Sequence, residues 1–236
     1  KIRYYLKEGI MFKRLIVYID ISDIQDEASY FIENGKVKQL SIIENVRGTM
    51  GKKNVLLLMK RKLKKFFPLT YKGLWVLKNL IIHQQKSEQI SQAVRTAYLG
   101  KNFPRSAWTY NSQIDGFTAL GVEGAIKKAI SQMNELYKLT EQNGIKLSVA
   151  VYPWPAQILF DVENSRQVKI WKKFCENKCE FFINSFPSFF NISKEIGKQE
   201  TVDQFFIKGD MHYNLAGNEI LYLDFKKFLR NNNGIL

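Results

Sequence analysis

His212 is one of two histidines in a chain of 236 residues, and it follows Asp210 by two positions in G-D-M-H-Y-N-L-A-G-N-E-I, residues 209–220. A carboxylate that holds one nitrogen of an imidazole fixes the tautomer and stabilises the imidazolium formed when the other nitrogen takes a proton. Asp-x-His in a turning loop can make that contact, and such a pair serves as general base for a hydroxyl nucleophile. The pattern also arises by chance, so an ordinary loop histidine is the competing reading. The second histidine, His83, lies in I-I-H-Q-Q-K without an acidic neighbour and reads as structural. Cys175 and Cys179 stand four apart with no second pair to complete a zinc site. They read as two half-buried small side chains on one helix face, and neither a metal nor a cofactor is expected.

The elements that must position such a pair follow from hydrophobic period. The opening K-I-R-Y-Y-L-K-E-G-I-M-F-K-R-L-I-V-Y-I-D-I reads as a helix feeding a strand. Its apolar, β-branched core is the kind buried on both faces of a parallel sheet. A chain without an initiator Met that opens this way is expected to be cut from something larger. Residues 121–142 place Val122, Ala125, Ile126, Ala129, Met133, Leu136 and Leu139 near one helical stripe, ended by Asn143-Gly144. I-K-L-S-V-A-V-Y is then a strand, residues 166–179 a helix, and residues 180–186 a strand closed by Pro187. A mixed loop leads to Gly209, and a last amphipathic helix runs to Arg230. This alternation predicts an open parallel sheet covered by helices. The loops at its carboxyl ends, residues 20–27, 152–157 and the one holding Asp210 and His212, are then the candidate working surface. One X-Pro bond in Y-P-W-P is a candidate for the cis form.

Charge is distributed unevenly. Residues 36–105 hold sixteen Lys and Arg against Glu44 and Glu88, which accounts for the whole net charge of +14 and leaves the remainder neutral. The α/β domain is therefore expected over residues 1–35 and 106–236, with a basic helical insertion over 36–105. Within the insertion, residues 52–86 mix lysines with Leu56-Leu57-Leu58, Phe66-Phe67 and Trp75, divided by Pro68 and Gly73 into two amphipathic helices. A solvated helical face, a surface for an anionic membrane and a site for an anionic polymer are its three readings. No nucleic-acid recognition motif accompanies the charge, so nucleic acid is not an expected partner. No run of 18 apolar residues spans a bilayer, and no signal peptide opens the sequence.

The block D-M-H-Y-N-L-A-G, with Asp210, His212, Asn214 and Gly217, resembles the final block of the SGNH, or GDSL-like, hydrolases, written D-x-H-x-N-x-x-G in one branch. Two further stretches agree in order. Y-L-K-E-G-I-M-F-K-R-L-I-V-Y-I-D-I-S-D-I is similar to the family's third block, and V-A-V-Y-P-W-P-A-Q-I to the strand and loop of its sugar-modifying members. The resemblance covers residues 1–30 and about 115–230. It implies a three-layer αβα flavodoxin-like parallel sheet, with His212 as general base and Asp210 as its orienter. Two positions depart from the pattern: Asp20 stands where the family has Gly, and Ser22 where it has its oxyanion-binding Asn. The family's nucleophilic Ser lies in a G-D-S block that this chain does not contain and would be supplied from upstream of it.

With Asp20, Ser22, Asn214 and Trp154 on the rim, the implied activity is hydrolysis or transfer of an acyl group, acetyl foremost, on a carbohydrate or another O-acylated substrate. Trp154, between two prolines, is either a stacking platform for a sugar or a lid on the core. An extracytoplasmic setting, tethered through a missing N-terminal part, would follow from family membership. The alternative is a catalytically inactive domain of this type acting as a membrane-surface or anionic-polymer binding protein.

Overall fold

A computed structural model describes residues 1–33, 36–39 and 99–231. The basic segment at 52–86, with its two expected helices and His83, lies outside them. The chain divides into two compact units, Lys1–Ala28 with Leu99–Leu236, and Ser29–Tyr98. In the second unit, β2 (Tyr30–Glu33) and β3 (Lys36–Gln39) form an antiparallel pair with Tyr30 opposite Gln39.

The first unit is mixed α/β. Its elements in chain order are α1 (Ile2–Lys7), β1 (Arg14–Ile19), α2 (Asp23–Ser29), the short α3 (Pro104–Ala107), α4 (Gly121–Gln142), β4 (Lys146–Val151), α5 (Pro155–Phe160) and α6 (Arg166–Cys175). They continue with β5 (Phe182–Asn184), α7 (Phe186–Ile196), α8 (Lys198–Phe205) and α9 (Leu215–Asn231). The strands form a parallel sheet in the order β1-β4-β5, with Arg14 opposite Lys146 and Val149 opposite Phe182.

Strand position corrects one expectation. The fully covered strand is β4, in which every residue after Lys146 is buried. Among the described residues β1 pairs with β4 alone, and its Leu15, Ile16 and Val17 are only half-buried. A continuous apolar run is compatible with either position, because it reports strand propensity and not the number of neighbours. Side chains alternate across the sheet. Leu147, Val149, Val151, Val17 and Ile19 pack with Val122, Ala125 and Ile126 of α4 and with Val168 and Trp171 of α6. Ile16, Ala150 and Ile183 face Phe225 and Phe228 of α9.

Helix α4 follows its apolar stripe and ends where Gly144 takes φ 66°, the left-handed turn that the Asn-Gly pair predicts. The mixed loop expected after Pro187 is instead the helices α7 and α8. Pro187 stands in the first turn of α7, where a missing N–H costs nothing, so it opens a helix and does not merely end a strand. The polar stretch 20–27 likewise becomes α2, whose first turn carries Asp23 and Asp26 beside the helix's positive end. Helix α6 stops at Cys175, earlier than residue 179, because Asn177 adopts φ 61° and turns the chain back. That turn brings the Cα of Cys179 to 4.7 Å from that of Cys175, and the two form a disulfide, a state that their spacing alone left open. The described peptide bonds are all trans, including those to Pro153 and Pro155.

A buried polar network ties β1 to the segment after β4. Gln167 Nε2 donates to the Ile19 carbonyl at 3.1 Å, and Gln157 Nε2 donates to Gln167 Oε1 at 3.1 Å. Ser165 caps α6 by accepting from the Gln167 amide and donates its hydroxyl to Asp161 at 2.7 Å. Both glutamines are fully buried, so removing one member strands the others without water. Gln167→Leu is expected to lower stability by about 1–3 kcal/mol, read as a lower urea midpoint with an unchanged slope. A midpoint equal to that of the parent would show that the network is replaceable by apolar packing.

Candidate functional site

The loop between α8 and α9 is closed at its base by backbone contacts. Phe206 and Tyr213 form an antiparallel bridge. The Ile207 amide donates to the His212 carbonyl at 2.9 Å, and the Asp210 amide to the Ile207 carbonyl at 2.9 Å. Gly209, at φ 71°, supplies the left-handed turn at the tip. Aromatic packing fixes the base: the Tyr213 ring lies 4.5 Å from that of Phe206 and 5.1 Å, stacked, from that of Phe189. The Tyr213 hydroxyl donates to the Pro153 carbonyl just past β4, so the loop is fastened to the carboxyl end of the sheet.

Within the loop, Asp210 Oδ1 lies 2.8 Å from His212 Nδ1. A carboxylate can only accept, so Nδ1 carries the hydrogen and the neutral ring presents Nε2 as a free base. The same oxygen accepts from the Met211 amide at 2.6 Å and the His212 amide at 3.3 Å. Desolvation pushes the Asp210 carboxyl up, but the hydrogen bonds from the His212 ring and the two amides together hold it below the ordinary aspartate value. Its contribution to loop stability is present above the unfolded value and is lost as pH falls through the lower folded one. The His212 side chain is 72% exposed.

The start of α9 explains two further residues of the block. Asn214 is its N-cap: Oδ1 accepts from the Gly217 amide at 3.1 Å, and Nδ2 donates to the Gln204 carbonyl at 2.8 Å. A Cβ on Gly217 would stand 2.2 Å from the Phe205 carbonyl oxygen and 2.5 Å from Tyr213 Cδ1. Only glycine lets α9 approach α8 this closely.

A second cluster forms beyond β1 and β4. Asp20 Oδ2 accepts from Trp154 Nε1 at 2.8 Å and from the Tyr152 hydroxyl at 3.0 Å, while Oδ1 accepts from the Ser22 amide at 2.7 Å. The Asp20 amide in turn donates to Asp23 Oδ2 at 2.9 Å. Desolvation, then the nearby Asp20 charge, raise the Asp23 carboxyl to about 6. Tyr152 is raised by burial and by the Asp20 charge.

The expected rim residues therefore separate. Asp210 and His212 meet; Asp20 gathers Ser22 and Trp154; Asn214 caps a helix. Trp154 is buried at 4% exposure with its ring N–H committed to Asp20, so its face is not a platform for a sugar, and the reading as a lid on the core holds. Ser22 is buried, and what it gives the cluster is its amide. The chain matches no protein-family model, no curated protein and no solved structure. Sequence reasoning missed Tyr152 and Tyr213, whose rings lie 5.9 Å apart, edge to face, between the two clusters. Each directly borders a polar loop at a strand or bridge end, which is the signal that could have found them.

Gly217→Ala is expected to cost roughly 1–3 kcal/mol through overpacking and to disturb the Asp210–His212 resonances; an unchanged melting temperature would contradict the close approach. Because folded Asp23 holds its proton more tightly than the unfolded chain does, this group subtracts stability as pH rises from roughly 3.9 toward its folded value. Asp20→Asn removes the neighbouring charge, so the Asp23 midpoint should fall in a carboxyl-carbon NMR titration. A midpoint still at about 6 would remove the Asp20 charge from its causes and leave desolvation and the Asp26 charge.

Proposed function

We propose that this chain carries the base and its orienter for an SGNH-type ester hydrolase or O-acyltransferase acting on acyl, foremost acetyl, groups of a carbohydrate. The single observation that carries the reading is the 2.8 Å contact between Asp210 Oδ1 and His212 Nδ1 on a loop fastened to the end of β4. In this reading the sheet is the centre of a three-layer αβα flavodoxin-like domain. Support comes from the two apolar clusters on opposite faces of β4, one with α4 and α6 and one with α9.

Nε2 of His212 takes the proton of a serine hydroxyl supplied from outside this chain, and the serine oxygen attacks the acyl carbonyl. His212 then returns the proton to the departing sugar oxygen, and Asp210 stabilises the imidazolium between these steps. Water or a second sugar hydroxyl completes the cycle on the acyl-enzyme, which decides between hydrolysis and transfer. The chemistry needs no metal.

One observation favours the second reading, an inactive domain of the same type that binds a surface. Residues 36–105 hold sixteen Lys and Arg against Glu44 and Glu88, a charge that suits an anionic surface. Turnover of p-nitrophenyl acetate by the protein as the cell makes it separates the two. His212→Ala is expected to lower kcat/KM by about 10²- to 10⁴-fold, the usual worth of a general base, with Asp210→Asn lying between. Equal rates in parent and His212→Ala would end the catalytic reading.

A further inference from the structure

We infer that residues 1–14 form an interfacial patch that seats on an anionic lipid surface. None of the six residues of α1 is buried. Met11 in the turn after it is 93% exposed, Tyr4 61% and Ile10 50%. Three large apolar side chains thus stand open within eight positions. Beside them lies an open apolar cleft of about 300 Å³ lined by Ile2, Tyr5, Ile10, Phe12 and Leu15.

The charge on the same segment selects the occupant. Lys1, Arg3, Lys7 and Lys13 are all exposed, and Glu8 is the one acid among residues 1–14. Arg14 is not counted with them, since it is held by Glu180 at 3.0 Å. Cations interleaved with tyrosines and unbranched or β-branched apolar side chains match the headgroup and upper acyl region of a bilayer. Aromatic rings sit at that depth, and each basic side chain gains from anionic lipid. A purely apolar protein partner would leave the four cations unanswered. The contact is interfacial, because no helix among the described residues is long and apolar enough to cross a membrane. This patch is distinct from the basic segment at 52–86 and does not depend on the proposed acyl chemistry.

The test is co-sedimentation of the intact protein with vesicles of phosphatidylcholine alone and with phosphatidylglycerol added, at low and high salt. The parent is expected to bind the anionic vesicles, to bind neutral ones weakly, and to release with salt. Ile10→Asp with Met11→Asp should weaken anionic binding about tenfold or more, as should Lys7→Glu with Lys13→Glu. All four positions are exposed, so circular dichroism of these variants should match the parent. Undiminished binding by both variants would overturn the proposal, and loss only on Lys62→Glu with Lys64→Glu would assign the membrane to the basic segment. Equal binding to neutral vesicles would also overturn it. So would a lipid-independent dimer abolished by the same substitutions, which would make a second copy the occupant.

Discussion

The carboxylate of Asp20 is the point at which the carboxyl end of the sheet is tied together. Parallel neighbours β1 and β4 diverge once their ladder ends at Ile19 and Val151. Asp20 takes donors from both sides of that divergence: the Ser22 amide from its own chain, and the Tyr152 hydroxyl and Trp154 ring N–H from beyond β4. A partly buried carboxylate is costly unless its lone pairs are occupied, and here three donors occupy them. With Trp154 and Tyr152 fixed, Pro153 between them offers its carbonyl to Tyr213, and Tyr213 fixes the loop of Asp210 and His212. The position of the imidazole relative to the sheet is thus inherited, through one tyrosine, from an aspartate nearly two hundred residues earlier in the chain.

The block D-x-H-x-N-x-x-G divides by physical role. Asp210 and His212 contact one another and face outward, where a proton could be exchanged. Asn214 and Gly217 never reach that side. Asn214 caps α9 and crosses to the carbonyls of residues 204 and 206, and Gly217 removes the side chain that would keep α9 from α8. Half of the motif is the contacting pair, and half is the geometry that places it.

How much of this could be read from residue order depends on the range of each force. The stripe of α4, its Asn-Gly stop and the strand character of residues 146–151 are local, and each was legible. So was the Asp210–His212 contact, since two residues separated by one in a tight loop have few alternatives. What escaped was set by distant partners or by a single local backbone choice. The run Leu15–Ile19 carries no record of whether it has one neighbour or two. Pro187 signals a boundary without saying that a helix follows it. The role of Trp154 was undecidable locally, because an indole between prolines suits a ligand or a core equally. Its ring N–H found Asp20, 134 positions away, and that contact placed it in the core. Cys175 and Cys179 turned on a single backbone angle at Asn177, which residue spacing on an ideal helix cannot anticipate.

The openness of the pair bears on how it could work. His212 stands in high dielectric, where an ion pair with Asp210 gains little from Coulomb attraction. What Asp210 supplies there is orientation: three donors converge on one of its oxygens, so the acceptor direction toward Nδ1 is set before any charge develops. An exposed base with a fixed tautomer is primed but not selective, for water reaches it as readily as any hydroxyl. Selectivity would have to arrive with the surface that covers it. In the proposed acyl chemistry the loop would specify which nitrogen takes a proton, and the covering surface would specify from which oxygen the proton comes.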